Sequence, residues 1–416
     1  MNVPGGATAD WVAAVNRGDV PPISEVAATP FTLDALVGRV AAARAEPTDV
    51  VAAALDDDTR AALAVLLPAL ETEARLSVLG RWVTHRFLER LLAQRVALEA
   101  HERADPGVRD EPVTEPWFVV GPPRSGTTAL YAMLAADPRL RAPTGWELLR
   151  PVPPPAESGD VSARIALADV ELRTPHLVSG GMDAIHVYAA RAPKECLSAM
   201  SFAFRSEEFV ARYSVPTYTE WLAAADPTPA YAMHRRILRV LQRGAATVPH
   251  WVLKSPVHLH AVPTLLATYP DARIVITHRD PDAFLASVSS LVATLRSVHS
   301  DHVDPVAIGR YHLDRYADSL DRLVDQVADG TVDQSRIVWV RHADLVVDPA
   351  AVLRRVYGHG TVDLPDALLA TLTAADQGTA EAGPHRYDAA TFGLDPAEVA
   401  TRFARSTARI TELAAS

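Results

Sequence analysis

Residues 117–133 read WFVVGPPRSGTTALYAM, and the fold turns on this stretch. Trp117 to Val120 are four apolar residues in a row, the pattern of a short strand buried on both faces. Gly121-Pro122-Pro123-Arg124-Ser125-Gly126-Thr127-Thr128 follows as a tight loop, and residues 129–136 continue as a helix. Strand, glycine-bounded loop and helix start form an anion cradle, because loop N–H groups converge there and the helix dipole favours negative charge. Gly121 and Gly126 let the backbone turn and approach a ligand closely, while Thr127 and Thr128 add hydroxyl donors. The spacing follows the nucleotide-triphosphate loop G-x-x-x-x-G-K-[ST] except at one place. Thr127 stands where that motif has lysine, and the cation lies inside the loop at Arg124. With no clear acidic Mg²⁺ ligand at a later strand end, a kinase or NTPase is disfavoured.

Downstream, short apolar strands are expected over 251–254, 273–278 and 336–340, with helices over 257–269, 281–295, 305–327 and 349–357. This alternation predicts an α/β fold, a P-loop-like parallel sheet flanked by helices. Ligands of such sheets bind at the carboxyl ends of strands, so Arg124, Lys254 and Arg279 are expected in one neighbourhood. Residues 161–245 read as a helical insertion whose aromatics, among them Tyr188, Phe202, Phe204, Phe209, Tyr213, Tyr218, Trp221 and Tyr231, serve the core or line a pocket. Residues 142–155 look irregular and hold Thr144-Gly145-Trp146-Glu147 in a proline-stiffened loop. Before the cradle, residues 1–30 read as a loose lead-in. Phe31, Leu33, Leu36, Val37 and Val40 then open a helical region reaching to about residue 102. The chain thus divides into a helical N-terminal extension, 1–115, and an α/β domain, 116–416.

A net charge of −11 argues against a nucleic-acid partner while leaving room for a local basic pocket. Cys196 is the single cysteine, so no intramolecular disulfide forms. No signal-peptide pattern opens the chain and no apolar run reaches the ~18 residues of a membrane helix. A cytoplasmic location is expected, with the oligomeric state open.

These residues resemble the PAPS-dependent sulfotransferases, especially the bacterial group and the tyrosylprotein sulfotransferases, over roughly residues 117–403. The cradle looks like that family's 5′-phosphosulfate loop, which implies donor contacts from Pro123, Arg124, Ser125, Gly126, Thr127 and Thr128. Arg279-Asp280-Pro281 with Ser287 eight positions on is similar to the family's 3′-phosphate site. Trp251-Val252-Leu253-Lys254 with Ser255-Pro256 resembles its lysine strand. His385-Arg386-Tyr387 resembles a late motif near the cofactor, implying contacts from Arg386 and Tyr387. His342-Ala343-Asp344-Leu345 is a looser match, since relatives often have tyrosine and glutamate before the aspartate.

The resemblance implies transfer of a sulfuryl group from PAPS (3′-phosphoadenosine 5′-phosphosulfate) to a hydroxyl of a small, apolar acceptor, with adenosine 3′,5′-bisphosphate as product. Two separated anions need two sites: the cradle is one, and Arg279 can fork onto the other with help from Ser287. Arg124 and Lys254 would stabilise charge building on the transferring oxygens, and no metal is required. Two bases compete for the acceptor's proton. Glu147 follows Arg124 by 23 positions, a placement that resembles the catalytic glutamate of tyrosylprotein sulfotransferases, and is preferred. His258 lies four positions after Lys254, whereas cytosolic relatives place a histidine two positions after a lysine, where this chain has Pro256. His258 and His260, at i and i+2 on the expected helix, would face different ways and share no metal. A catalytically silent nucleotide-binding scaffold is the rival from another class.

Overall fold

A computed structural model describes residues 5–178, 189–245, 250–375 and 388–415. Its strands are β1 (Trp117–Val120), β2 (Leu140–Arg141), β3 (His250–Lys254), β4 (Arg273–His278) and β5 (Ile337–Arg341). They form one parallel sheet in the order β2-β3-β1-β4-β5. Phe118 lies between Leu253 and Ile274, and Ile276 faces Trp339. That register brings the carboxyl ends of β1, β3, β4 and β5 to one edge. The chain reverses its strand order at β1, so the crevice for a ligand opens beyond Val120.

The strands form where continuous apolar runs were expected, and β1 and β4 have the expected bounds. β2, two residues long, was not expected; it gives no periodic signal of its own and pairs along Leu140–His250 and Arg141–Trp251. The helix expected over 257–269 is instead a 3₁₀ turn, Pro256–His260, and a helix, Val262–Thr268. Pro263 has no N–H to donate back across the junction, and Ala261 leaves helical geometry there.

Residues 5–30 are more ordered than their pattern suggests. Helices Gly5–Asn16 and Pro21–Ala27 lie against the long helix Val78–Ala104. Leu79 N–H donates to Asn16 Oδ1 at 3.0 Å, and Arg81 donates to the carbonyls of Ala27 (2.6 Å) and Thr29 (2.9 Å). Short helices are marginal alone, and here the partner surface stabilises them. The stretch read as irregular, 142–155, contains a one-turn helix, Gly145–Leu149, closed by a capping box between Thr144 and Glu147.

One apolar core spans the extension, the insertion and one face of the sheet. Leu63, Leu91, Phe202, Tyr218, Phe118 and Leu253 all belong to it. Phe202, Phe204, Phe209, Tyr213, Tyr218 and Tyr231 are fully buried in it, so these aromatics serve packing; Trp221 packs on it partly buried. Tyr188 lies outside the described residues. Arg95, from the Val78–Ala104 helix, is buried there too: its guanidinium donates to Ala54 O (3.0 Å), Phe202 O (2.9 Å) and Asp56 Oδ2 (3.0 Å). Among the described residues no helix is long and apolar enough to cross a membrane.

Candidate active site

The cradle is built as a turn that only small residues permit at two points. Gly121 has φ 139°, and a Cβ there would come within 2.3 Å of Thr277 O. Gly126, at φ 91°, is the N-cap of the helix Thr127–Ala135. Arg124 is left-handed as well (φ 67°), and its side chain is exposed. The first N–H groups of the Thr127–Ala135 helix have no intrahelical acceptor and face the loop.

Ser125 is positioned differently from the other expected donors. Its hydroxyl is fully buried, donates to Pro122 O and shares a hydrogen bond with Thr277 Oγ1, both at 2.6 Å. Ser125 therefore ties the loop to β4. Thr277 gave no sign of this role in the sequence, because its partner is 152 residues away. Thr127 is buried and Thr128 exposed; Pro123 is half-buried.

The cations converge as expected. Arg279, just beyond β4, donates from Nη1 to Arg124 O at 3.1 Å, joining the two expected anion sites. Burial, then the charge of Arg124, lowers the pKa of its guanidinium from the ordinary value. Asp280 does not compete for it: its carboxylate caps the following helix by accepting from Asp282 N–H at 3.1 Å. Ser287 is buried about two turns along that helix. His342, the first residue after β5, sits against the cradle, its Cδ2 only 3.2 Å from where a Cβ on Gly126 would stand. Burial and the nearby Arg279 and Arg124 push its pKa down. Its position at a strand end was the available signal. Asp344, in the same segment, is forked by Arg341.

Lys254 ends β3 with a buried side chain. Its ammonium donates to Thr128 Oγ1 at 3.3 Å, lies 5.9 Å from the Tyr131 ring centre, and is paired with Glu195. Cys196 N–H donates to Lys254 O at 3.0 Å and fixes that neighbouring segment to the strand end. Glu195 was not expected here, since 59 residues separate the partners and no local motif marks it. Ser255, next to Lys254, holds a fully buried hydroxyl without a partner among the described residues.

The two base candidates are engaged elsewhere. Glu147 accepts from Arg141 Nη2 (2.7 Å), Thr144 N–H (2.8 Å) and Thr144 Oγ1 (2.9 Å), using both carboxylate oxygens. It caps a helix and pairs with an arginine. His258 is sealed in the core: Nδ1 meets Tyr231 Oη at 2.9 Å and the ring packs edge-on to Phe118, 5.0 Å between centres. Burial, then His234 and His260, keeps the pKa of its imidazole well below the ordinary value. Its ring is fully buried and offers the expected base no solvent-facing nitrogen. His260 turns away to Ser319 Oγ at 2.7 Å and Glu207 at 3.3 Å. Arg386 and Tyr387 lie outside the described residues.

Residues 116–366, more than half of the chain, match the profile of the sulfotransferase family. The chain belongs to this family. A sulfotransferase structure, STF1 from Mycobacterium tuberculosis H37Rv, superposes with a TM-score of 0.75 at 31% identity, covering 90% of this chain and 98% of that one. STF9 from Mycobacterium avium shares the fold, with a TM-score of 0.75 at 24% identity, covering 91% and 96%. Among curated sulfotransferases, omega-hydroxy-beta-dihydromenaquinone-9 sulfotransferase Stf3 of Mycobacterium bovis and Mycobacterium tuberculosis is 28% identical over 261 residues. That match covers 59% of this chain and 62% of Stf3.

Proposed function

We propose that this protein transfers a sulfuryl group from PAPS to a hydroxyl on a small, apolar acceptor. The observation that carries the reading is the hydrogen bond from Arg279 to the backbone of Arg124. It holds the cation beyond β4 against the cradle loop, and this pair of neighbouring cations supports a donor that carries both a 3′-phosphate and a 5′-phosphosulfate. Bound in this way, the donor supplies a sulfur centre with a good leaving group. The loop N–H groups, Arg124 and Thr128 hold the 5′ end, and Arg279, with Ser287 on the next helix, holds the 3′-phosphate. Lys254, beside Thr128, stabilises charge growing on the leaving oxygen. Stf3 takes its name from a hydroxylated menaquinone derivative, which supports an apolar hydroxylated acceptor here. A cytoplasmic setting is part of this proposal, and the free Cys196 is compatible with it.

The test is a pooled assay with PAPS and farnesol, dodecan-1-ol and a short ω-hydroxyprenyl naphthoquinone, read by mass spectrometry. A sulfate ester is expected; no ester with any of them would remove the apolar-alcohol reading. A kinase would bind ATP in preference to adenosine 3′,5′-bisphosphate, and calorimetry with both nucleotides separates the two.

Two further outcomes are expected. Arg279→Ala weakens adenosine 3′,5′-bisphosphate by about 30–100-fold, the loss of a bidentate charge-assisted contact. Normal affinity in that variant would sink the 3′-phosphate assignment. Turnover survives exhaustive EDTA, since cationic side chains supply the charge. Three of the groups the sequence offered as possible ligands are bonded to other partners: His258 to Tyr231, His260 to Ser319 and Asp344 to Arg341. Activity lost on chelation and restored by Mg²⁺ or Zn²⁺ would overturn this.

A further inference from the structure

The reaction needs a group to take the acceptor's proton, and both groups nominated from sequence are committed to the scaffold. We propose that Glu195 is the general base, building on the sulfotransfer reading. Three observations converge on it. Its carboxylate pairs with the ammonium of Lys254, and that ammonium also touches Thr128 Oγ1, so the carboxylate stands at the rim of the anion cradle. About a quarter of its side chain is exposed, against 4% for Lys254, so the pair presents its acidic partner to solvent and to an incoming hydroxyl. Its backbone is anchored where it must be. Cys196 N–H bonds to Lys254 O, and Tyr131 Oη, from the cradle helix, donates to Lys194 O at 3.3 Å.

The alternatives are worse placed. Glu147 would have to release Arg141 and Thr144 to receive a proton, undoing the cap of its own helix. His258 is enclosed by Phe118 and Tyr231. His342 faces Gly126, Arg124 and Arg279, on the side of the crevice assigned to the donor's phosphates.

The step balances within the substrates and this one side chain. As the acceptor oxygen closes on sulfur, its O–H proton passes to the Glu195 carboxylate. The S–O bond to the 5′-phosphate breaks, and its electron pair stays on the phosphate oxygen. Lys254 couples the two ends: it pairs with Glu195 and stands beside Thr128 at the cradle, where its charge would meet the leaving oxygen.

The experiment compares wild type, Glu195→Gln, Glu195→Asp and Glu147→Gln in the same PAPS assay, using whichever of the three alcohols is sulfated. Binding of adenosine 3′,5′-bisphosphate and melting temperature are measured beside it. Glu195→Gln is expected to lower kcat by ~10²–10⁴-fold and to flatten the acidic limb of the kcat/KM profile. It should bind the bisphosphate no more weakly than wild type, because a negative charge near the phosphates has been removed. Glu195→Asp should recover part of the rate with the acidic limb restored. Glu147→Gln should mainly lower the melting temperature. The proposal is overturned if Glu195→Gln turns over within about fivefold of wild type. It is equally overturned if Glu147→Gln, folded and still binding the bisphosphate, is the silent variant. A wild type that neither binds the bisphosphate nor sulfates any alcohol would instead fail the sulfotransfer reading, and Glu195 with it.

Discussion

Lys254→Met is expected to lower kcat by ~10²–10³-fold while affinity for adenosine 3′,5′-bisphosphate stays within about tenfold of wild type. Methionine is one atom shorter but unbranched and close in volume, so the substitution removes the charge while filling most of the buried space. The product nucleotide lacks the sulfuryl group, so on the proposed reading most of its binding depends on Arg124, Arg279 and the loop amides. The bridging oxygen gains charge only as the sulfur–oxygen bond breaks, and there the missing ammonium is felt. Single-turnover kinetics with saturating PAPS read the chemical step directly. A variant that keeps its rate but melts early would reduce Lys254 to a structural partner of Glu195.

The second large effect is on stability. His234, His258, His299 and His312 are all buried, and burial above all holds each in the neutral form. His234, His299 and His312 are pushed down to about 3, and His258 well below its ordinary value. The sign follows from comparing the two states. Above an unfolded value of 6.5 neither state is protonated and nothing is lost. Below it the unfolded chain takes up protons that the folded chain refuses, so stability falls as pH falls. Each imidazole costs about 1.4 kcal/mol per pH unit in this window, so four approach roughly 5 kcal/mol near pH 5.5. That is on the scale of a whole domain's stability, roughly 5–15 kcal/mol. Glu207, held ionised by His260 and Arg315 against its burial, adds to the loss in the same direction at lower pH. The melting temperature should be level above about pH 7 and fall steeply from about pH 6.5 downward, before ordinary carboxylates titrate. A level melting temperature down to about pH 5 would show these histidines to be protonated in the folded protein.

What could be read from sequence was what is contiguous or rigidly spaced. The strand, loop and helix of residues 117–133 lie next to one another along the chain, and their physics is local. Lys254 and Arg279 could be placed because each follows an apolar strand, and a parallel sheet gathers such residues at one edge. Glu195 could not, for it reaches Lys254 through a backbone hydrogen bond between segments 58 residues apart. Thr277 likewise acts on a loop 152 residues away. Glu147 illustrates the opposite difficulty. Its sequence position suited a base, yet Thr144 three residues before it makes a capping box, a local pattern visible in the same four letters Thr-Gly-Trp-Glu. The two N-terminal helices were hidden because their stability comes from a partner surface and their own periodicity is faint.

Arg95 shows what that shared core means for unfolding. One buried guanidinium satisfies a carbonyl of the extension at Ala54, a carbonyl of the insertion at Phe202 and the more exposed carboxylate of Asp56. If either segment let go, a buried charge would lose its acceptors, so neither can fray at small cost. Extension, insertion and sheet should therefore melt as one cooperative unit, with calorimetric and van't Hoff enthalpies in agreement.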